Sequence, residues 1–425
     1  MNTVDVVFCG WGQRWTLGTL ADNGRQLIFE YSPEAHRRGL ELSPLNLALR
    51  REAYGDFPQH LDRLPGLVSD ALPDGWGLLL MDRLFQRRGR SRESLSPLDR
   101  LSFIGERAMG ALSFVPSTTA DLSDADLDLM ALASAVQQVI ADRDSVALEE
   151  LALVGGSPHG ARPKALVQYD RAQGMISTLP KAPGRSWLVK FPGQGEHKEV
   201  CAVEDAYCAI ARRCGLEVPE TRFFDISGKL AAFGIERFDR ERGMRVPVHS
   251  FAGALHADFR IPSLDYSDVL RATRFFTRDA TQVGAAFRRC VFNVIFNSCD
   301  DHVKNFSLRM NDAMEWKLSP AYDLTFNGGP RGHHQTAVMG EALAPGRSDL
   351  LKLASDSDIS LAVAQRVIDE VVHRSSDLRG DLSNSVVRRS TVSTIVQAVD
   401  RNAARCGRAA GAGKPAGKRV LNRKA

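Results

Sequence analysis

The stretch NSCDDHVKNFSL, residues 297–308, places two Asp, a His, a Lys and an Asn within six positions, directly after the apolar run from Cys290 to Phe296. Acid, amide and base crowded at the end of a buried helix suit metal binding or proton abstraction. Asp300 and Asn305 have the five-residue separation that protein kinases place between a catalytic-loop base and a metal-binding amide; Asp301 does not. Asn297, Asp300, Asn305 and Ser307 equally suit loop capping, so the stretch needs company elsewhere in the chain.

A kinase reading demands a second metal-binding carboxylate further on, because Mg2+ is held between phosphates and carboxylate. WKLSPAYDLTFN (316–327) supplies Asp323, in the role of the Asp of a D-F-G motif, although Leu324 and Thr325 follow it. A strand-borne Lys and a helix Glu are needed as well. Lys190 in SWLVKFPG (186–193) follows the alternating Trp187 and Val189, and the next helix offers Glu199 and Glu204, of which Glu204 lies deeper in the apolar pattern. A single strand Lys also suits a snorkelling edge position.

GGSPHGARPK (155–164) carries Gly155, Gly156 and Gly160, which permit close approach to phosphates, with Arg162 and Lys164 adding positive charge. It is not a Walker A loop, since Ala-Arg follows Gly160 and ALVQYD after it reads as strand; a hairpin turn is the plainer alternative. FGIERFDR (233–240) joins two inferred lobes, with backbone around Glu236 and Phe238 placed to meet an adenine edge. The order of these pieces is that of a bilobal kinase.

Composition bounds the rest. The 425 residues are 44% apolar and 25% charged with a net charge of +4, and the Lys and Arg concentrate in the last stretch, giving no broad nucleic-acid-binding face. Seven Cys without a C-x-x-C pair suggest neither a disulfide framework nor a zinc knuckle, and fit a reducing cytoplasm. No secretory pattern opens the chain and no apolar run approaches the ~20 residues that span a bilayer, so no membrane association is expected.

The expected fold class is α+β: a small β-rich N-terminal domain followed by a bilobal protein-kinase-like fold with a mostly helical C-terminal lobe. Residues 1–118 read as short strands with one helical stretch near GLLLMDRLFQRR. Residues 119–150 read as a connecting helix and 151–240 as a strand-rich small lobe, beginning with a strand at ELALV. Residues 241–400 read as a helical large lobe, and 401–425 as a basic disordered tail.

Assembled in this way, the chain resembles the HipA family of serine/threonine-protein kinase toxins of bacterial type II toxin–antitoxin systems. The likeness rests on DDHVKNFS (300–307), SPAYDLTF (319–326), GIERFDR (234–240), LVKFPG (188–193), LPDGWG (72–77) and IGERAMGAL (104–112), and covers nearly all of residues 1–400. It implies that Asp300 is the catalytic base, that Asn305 and Asp323 hold Mg2+, and that Lys190 contacts ATP phosphates. His302 and Lys304 fall in the same loop motif. It assigns adenine contact to the Glu236–Phe238 backbone and ribose contact to Asp239.

In that family a serine of the Gly-rich loop undergoes autophosphorylation, which ejects the loop and silences the enzyme, and Ser157 matches its position. The loop departs from the best-known members in Pro158, His159, Arg162 and Pro163, which stiffen and charge it. The implied partners are a protein substrate, of which glutamyl-tRNA synthetase is the family's best-known case, and a small helix-turn-helix antitoxin through which DNA is met indirectly. Rival readings are a non-catalytic kinase-fold regulator acting as a co-repressor, and a small-molecule phosphotransferase.

Overall fold

The structure, a computed structural model, describes residues 1–119, 125–143, 147–383 and 386–407. The first sheet collects four antiparallel strands, β1 (Thr3–Phe8), β2 (Trp15–Asp22), β3 (Leu27–Tyr31) and β4 (Leu112–Val115), in the order β3-β2-β1-β4. Alternation places Val4, Val6 and Phe8 of β1 inward with Leu20 of β2 and Phe29 of β3. The helix Gly75–Arg87 buries Trp76, Leu80, Met81, Leu84 and Phe85, a helical stripe that closes this core. The N-terminal part is more helical than its strand pattern implies, for it also holds Pro33–Arg38, Gly66–Ser69 and Pro97–Ile104.

Two helices follow, Leu129–Ile140 and Leu148–Gly155. The second overturns the strand expected at ELALV. Leu148, Leu151 and Ala152 recur at helical spacing and are buried, and Leu, Glu and Ala are good helix formers. The helix packs on Gly75–Arg87, so tertiary burial settles a run too short to be read by periodicity.

The second large sheet has the order β6-β5-β7-β9-β8, all antiparallel, from β5 (Lys164–Asp170), β6 (Met175–Ser177), β7 (Arg185–Lys190), β8 (Thr221–Asp225) and β9 (Ala231–Glu236). Its register puts Lys164 opposite Lys190, at the same end of two neighbouring strands. The helix Glu199–Arg213 lies against β8 and β9.

Beyond β9 the chain is mostly helical. It also contains a ribbon, β10 (Arg240–Glu241) with β11 (Met244–Arg245), and a three-stranded sheet of β12 (Val248–Ser250), β13 (Ser307–Met310) and β14 (Trp316–Leu318). The helix Ala280–Ile295, started by Asp279 accepting from the Thr281 N–H, is buried from Arg289 through Ile295. It delivers residues 297–305 to the edge of the core. The last helix, Arg389–Cys406, runs past the point where a disordered tail was expected, because Asn402 and Cys406 are buried; the basic residues 408–425 lie outside the described residues. All seven cysteines are free thiols, and no helix among the described residues is long and apolar enough to cross a membrane.

Candidate functional site

A cavity of about 780 Å³ opens where the β5–β9 sheet, the helical part and the N-terminal part meet. Lys164, Lys190, Asp300, His302, Asn305 and Asp323 all line it, as do residues 235–239 at the end of β9. Side chains separated by well over a hundred positions in sequence therefore face one space.

Lys190 ends β7 and is only 9% exposed. Its ammonium donates to Glu204 Oε1 at 2.6 Å and to Asp323 Oδ1 at 2.6 Å. Burial alone would lower the Lys190 pKa, but the charges of Asp323 and Glu204 outweigh it and raise it above the ordinary lysine value. Burial would likewise raise the Asp323 carboxyl, yet Lys190 and Lys164 hold it well below the usual carboxylate range. Asp323 is therefore an anion, with one oxygen committed to Lys190. Glu199, the other candidate helix Glu, pairs instead with Arg388, the N-cap residue of the last helix, and with Thr391 inside it.

Residues 300–305 are clamped from behind. Asn305 Nδ2 donates to the Asp300 carbonyl at 2.8 Å, which turns its amide oxygen elsewhere. Arg289, buried in the helix Ala280–Ile295, donates to the carbonyls of Asn305 and Tyr322 at 2.7 and 3.0 Å, and so ties the loop to the residue preceding Asp323. Tyr322 adds a hydroxyl bond to the Lys304 carbonyl at 2.9 Å. Asp301 faces away from the cavity and accepts from Tyr266, His334 and the Gln335 N–H at 2.8–2.9 Å.

Asp300 itself is exposed to the cavity and accepts from Gln335 Nε2 at 2.6 Å. Burial pushes its carboxyl up, the neighbouring Asp323 and Asp301 add to that, and His302 and Gln335 oppose it. A carboxylate with a raised proton affinity is suited to accept a hydroxyl proton. His302 packs its ring against Phe259, with centroids 5.5 Å apart.

The glycine-rich loop is split by the structure. Gly160, at φ +104°, lines the cavity with Arg162 and Lys164. Gly155 and Gly156 do not: they lie where the helix Leu148–Gly155 presses on the N-terminal part, and a Cβ on Gly155 would meet Leu80 and Trp76. Their expected phosphate contact is corrected to a packing role. Ser157 is 2% exposed, and its hydroxyl has no partner among the described residues.

This loop is gripped by LPDGWG. His159 Nε2 meets the Leu72 carbonyl at 2.9 Å, the Gly160 N–H donates to Asp74 Oδ1, and Trp76 donates from N to the Gly160 carbonyl and from Nε1 to the Lys164 carbonyl. The other carboxylate oxygen of Asp74 accepts from Lys304 at 3.0 Å.

The hinge is similarly bound to the N-terminal part. Phe238 stacks obliquely on Tyr322, and its carbonyl accepts from Arg309. Asp239, expected to reach a ribose, is 2% exposed, with its oxygens taken by Arg237, Arg240 and the Gly110 N–H. Its geometry is that of a joint. Arg245 extends the joint with bonds to the carbonyls of Glu106, Ala108, Gly110 and Leu112, all within IGERAMGAL.

Asp74, Arg289, Asp301 and Gln335 escaped the sequence reading as site residues, for none sits in a spacing that points to chemistry. Among the described residues no cluster of three or more His, Cys, Asp or Glu forms a metal cage. An Mg2+ site completed by phosphates and water needs none, and the anionic Asp323 with the Asn305 amide oxygen is a donor set of the required chemistry.

Residues 11–115 match the HipA N-terminal domain and residues 156–378 the HipA-like C-terminal domain, the latter alone more than half of the chain. The Sinorhizobium fredii protein Y4dM, whose name gives it provisionally as a kinase, is 33% identical over 168 residues; the match spans 36% of this chain and 41% of that protein. HipA from a Shewanella oneidensis complex of HipA, HipB and operator DNA superposes at a TM-score of 0.69 with 15% identity, covering 95% of this chain and 97% of that one. The Helicobacter pylori proinflammatory kinase CtkA overlaps at a TM-score of 0.39 and 13% identity, over 53% of this chain and 85% of its own. By its two matched domains in their proper order, the chain belongs to the HipA family.

Proposed function

We propose that the protein is an ATP- and Mg2+-dependent serine/threonine-protein kinase acting as the toxin of a type II toxin–antitoxin system in the cytoplasm. The observation that carries this reading is the convergence of Lys190, backed by the buried Glu204, with Asp323, Asp300 and Asn305 on one cavity.

In this mechanism Lys190 donates to phosphate oxygens from an ammonium already fixed by two carboxylates. Asn305 and Asp323 would hold Mg2+, which would supply positive charge against the triphosphate. Asp300 orients a protein Ser or Thr hydroxyl and takes its proton as the new O–P bond forms and the bond from the γ-phosphorus to the β–γ bridging oxygen breaks, releasing ADP. Positioning and electrostatics supply most of the acceleration. Residues 236–238 meet the adenine, with the Phe238 carbonyl already engaged by Arg309.

Ser157 is the proposed site of autophosphorylation. Its burial means that the loop must leave its seat before the hydroxyl can react. The Shewanella oneidensis HipA is in a complex with HipB and operator DNA, which supports a helix-turn-helix antitoxin as the partner here and DNA contact through it. Glutamyl-tRNA synthetase is the first protein substrate to try.

Incubation with γ-labelled ATP and Mg2+ tests the reading. Wild type is expected to label itself or an added substrate, and Asp300→Asn to bind ATP while transferring nothing. Equal labelling by both would remove Asp300 from its role, and ATP binding without transfer by wild type would favour the non-catalytic co-repressor.

A further inference from the structure

Asp74 is the N-cap residue of the helix Gly75–Arg87, and Asp is among the best residues for bonding the free N–H groups of a first helical turn. Its side chain makes no such bond. Both oxygens are spent instead across the domain boundary: Oδ1 accepts from the Gly160 N–H and Oδ2 from the Lys304 ammonium at 3.0 Å. Gly160 belongs to the loop over the cavity and Lys304 to the catalytic loop beneath it, one residue before Asn305. A single carboxylate of the N-terminal domain thus spans roof and floor of the site.

We propose that Asp74 is a positioning residue of the phosphotransfer site, supplied by the N-terminal domain, with one oxygen holding the Gly160 turn closed and the other aiming Lys304 into the cleft. This rests on the phosphotransfer reading above. The Lys304 ammonium has three N–H donors, so it can keep Asp74 while another points to a phosphate oxygen. Its ammonium nitrogen also lies over the Phe259 ring, 4.4 Å from the centroid, and Asp74 is the carboxylate that pairs with it. His159 and Trp76 hold the loop from the same side, so Asp74 acts within a prepared seat.

Two variants separate the two bonds. Asp74→Asn keeps an oxygen for the Gly160 N–H and loses the charge that holds Lys304; Asp74→Ala loses both. In the full-length protein, Asp74→Asn is expected to bind ATP within about twofold of wild type and to lose about tenfold in kcat, a misorientation-sized loss. Asp74→Ala is expected to lose about tenfold in ATP affinity as well, with faster amide exchange at residues 159–164.

The proposal is overturned if Asp74→Ala matches wild type in both ATP affinity and kcat. It is also overturned if both variants lose activity only in step with a lowered melting temperature. Should wild type bind ATP and transfer nothing, the kinase reading falls. ATP affinity and amide exchange of Asp74→Ala then still decide whether Asp74 holds the loop.

Discussion

The side-chain amide of Gln335 donates to Asp300 Oδ1 at 2.6 Å, and its backbone N–H donates to Asp301 at 2.9 Å. One residue thereby fixes both the carboxylate proposed as the base and the buried one beside it. Gln335→Ala should lower kcat by about tenfold with the KM for ATP nearly unchanged, because it frees the base without touching the nucleotide. Steady-state phosphotransfer at varied ATP checks this, and a matching rise in KM would contradict it.

Lys190 stands between the buried Glu204 and the partly exposed Asp323, so its removal leaves Glu204 buried without its cation and facing a second carboxylate. Lys190→Ala should destabilise the protein by about 3–5 kcal/mol, the usual cost of breaking a buried pair from one side. Urea unfolding measures it. Glu199→Gln, which loosens the tie to Arg388, should leave ATP affinity intact, since that pair lies away from the cavity-lining groups.

The His334–Asp301 pair gives a pH signature. Burial would lower the His334 pKa, but Asp301 and its hydrogen bond raise it from 6.5 to about 10. A histidine raised on folding stabilises fully below its unfolded pKa and loses that contribution as pH climbs through the folded value. The melting temperature should therefore decline between pH 6.5 and about 10, and His334→Gln should flatten the decline. A variant that keeps the wild-type slope would assign the loss to other groups.

Arg289 serves two carbonyls from the interior of a helix. Arg289→Met should cost about 1–3 kcal/mol, the penalty for buried acceptors left unpaired, and reduce kcat more than ATP affinity. Thermal melts read alongside kinetics test both parts.

How much of this was legible in the sequence depends on whether the signal was local. Asp300 and Asn305 are joined by a fixed spacing, and Lys190 by strand alternation, so each could be proposed before any coordinates. Between Glu199 and Glu204 the helix pattern only leaned, and the choice rests on which face meets β7 and which meets Arg388. Asp74, Arg289 and Gln335 act through partners up to 230 positions away, and no periodicity records such a distance. The helix Leu148–Gly155 was misread because a short apolar run has no period of its own until Gly75–Arg87 packs against it. LPDGWG and IGERAMGAL showed their likeness early, while their work at the boundary needed three dimensions.

The Asp239 contact with Gly110 has a mechanical corollary. The segment that follows β9 is pinned, through Asp239, Arg240 and Arg245, to residues 108–112, which lead into the edge strand β4 of a separate sheet. On the kinase function proposed above, an opening of the cleft about this joint would carry that sheet along. A macromolecule bound to that sheet, and preferring one tilt over another, would then brake or speed the proposed turnover without approaching the phosphates.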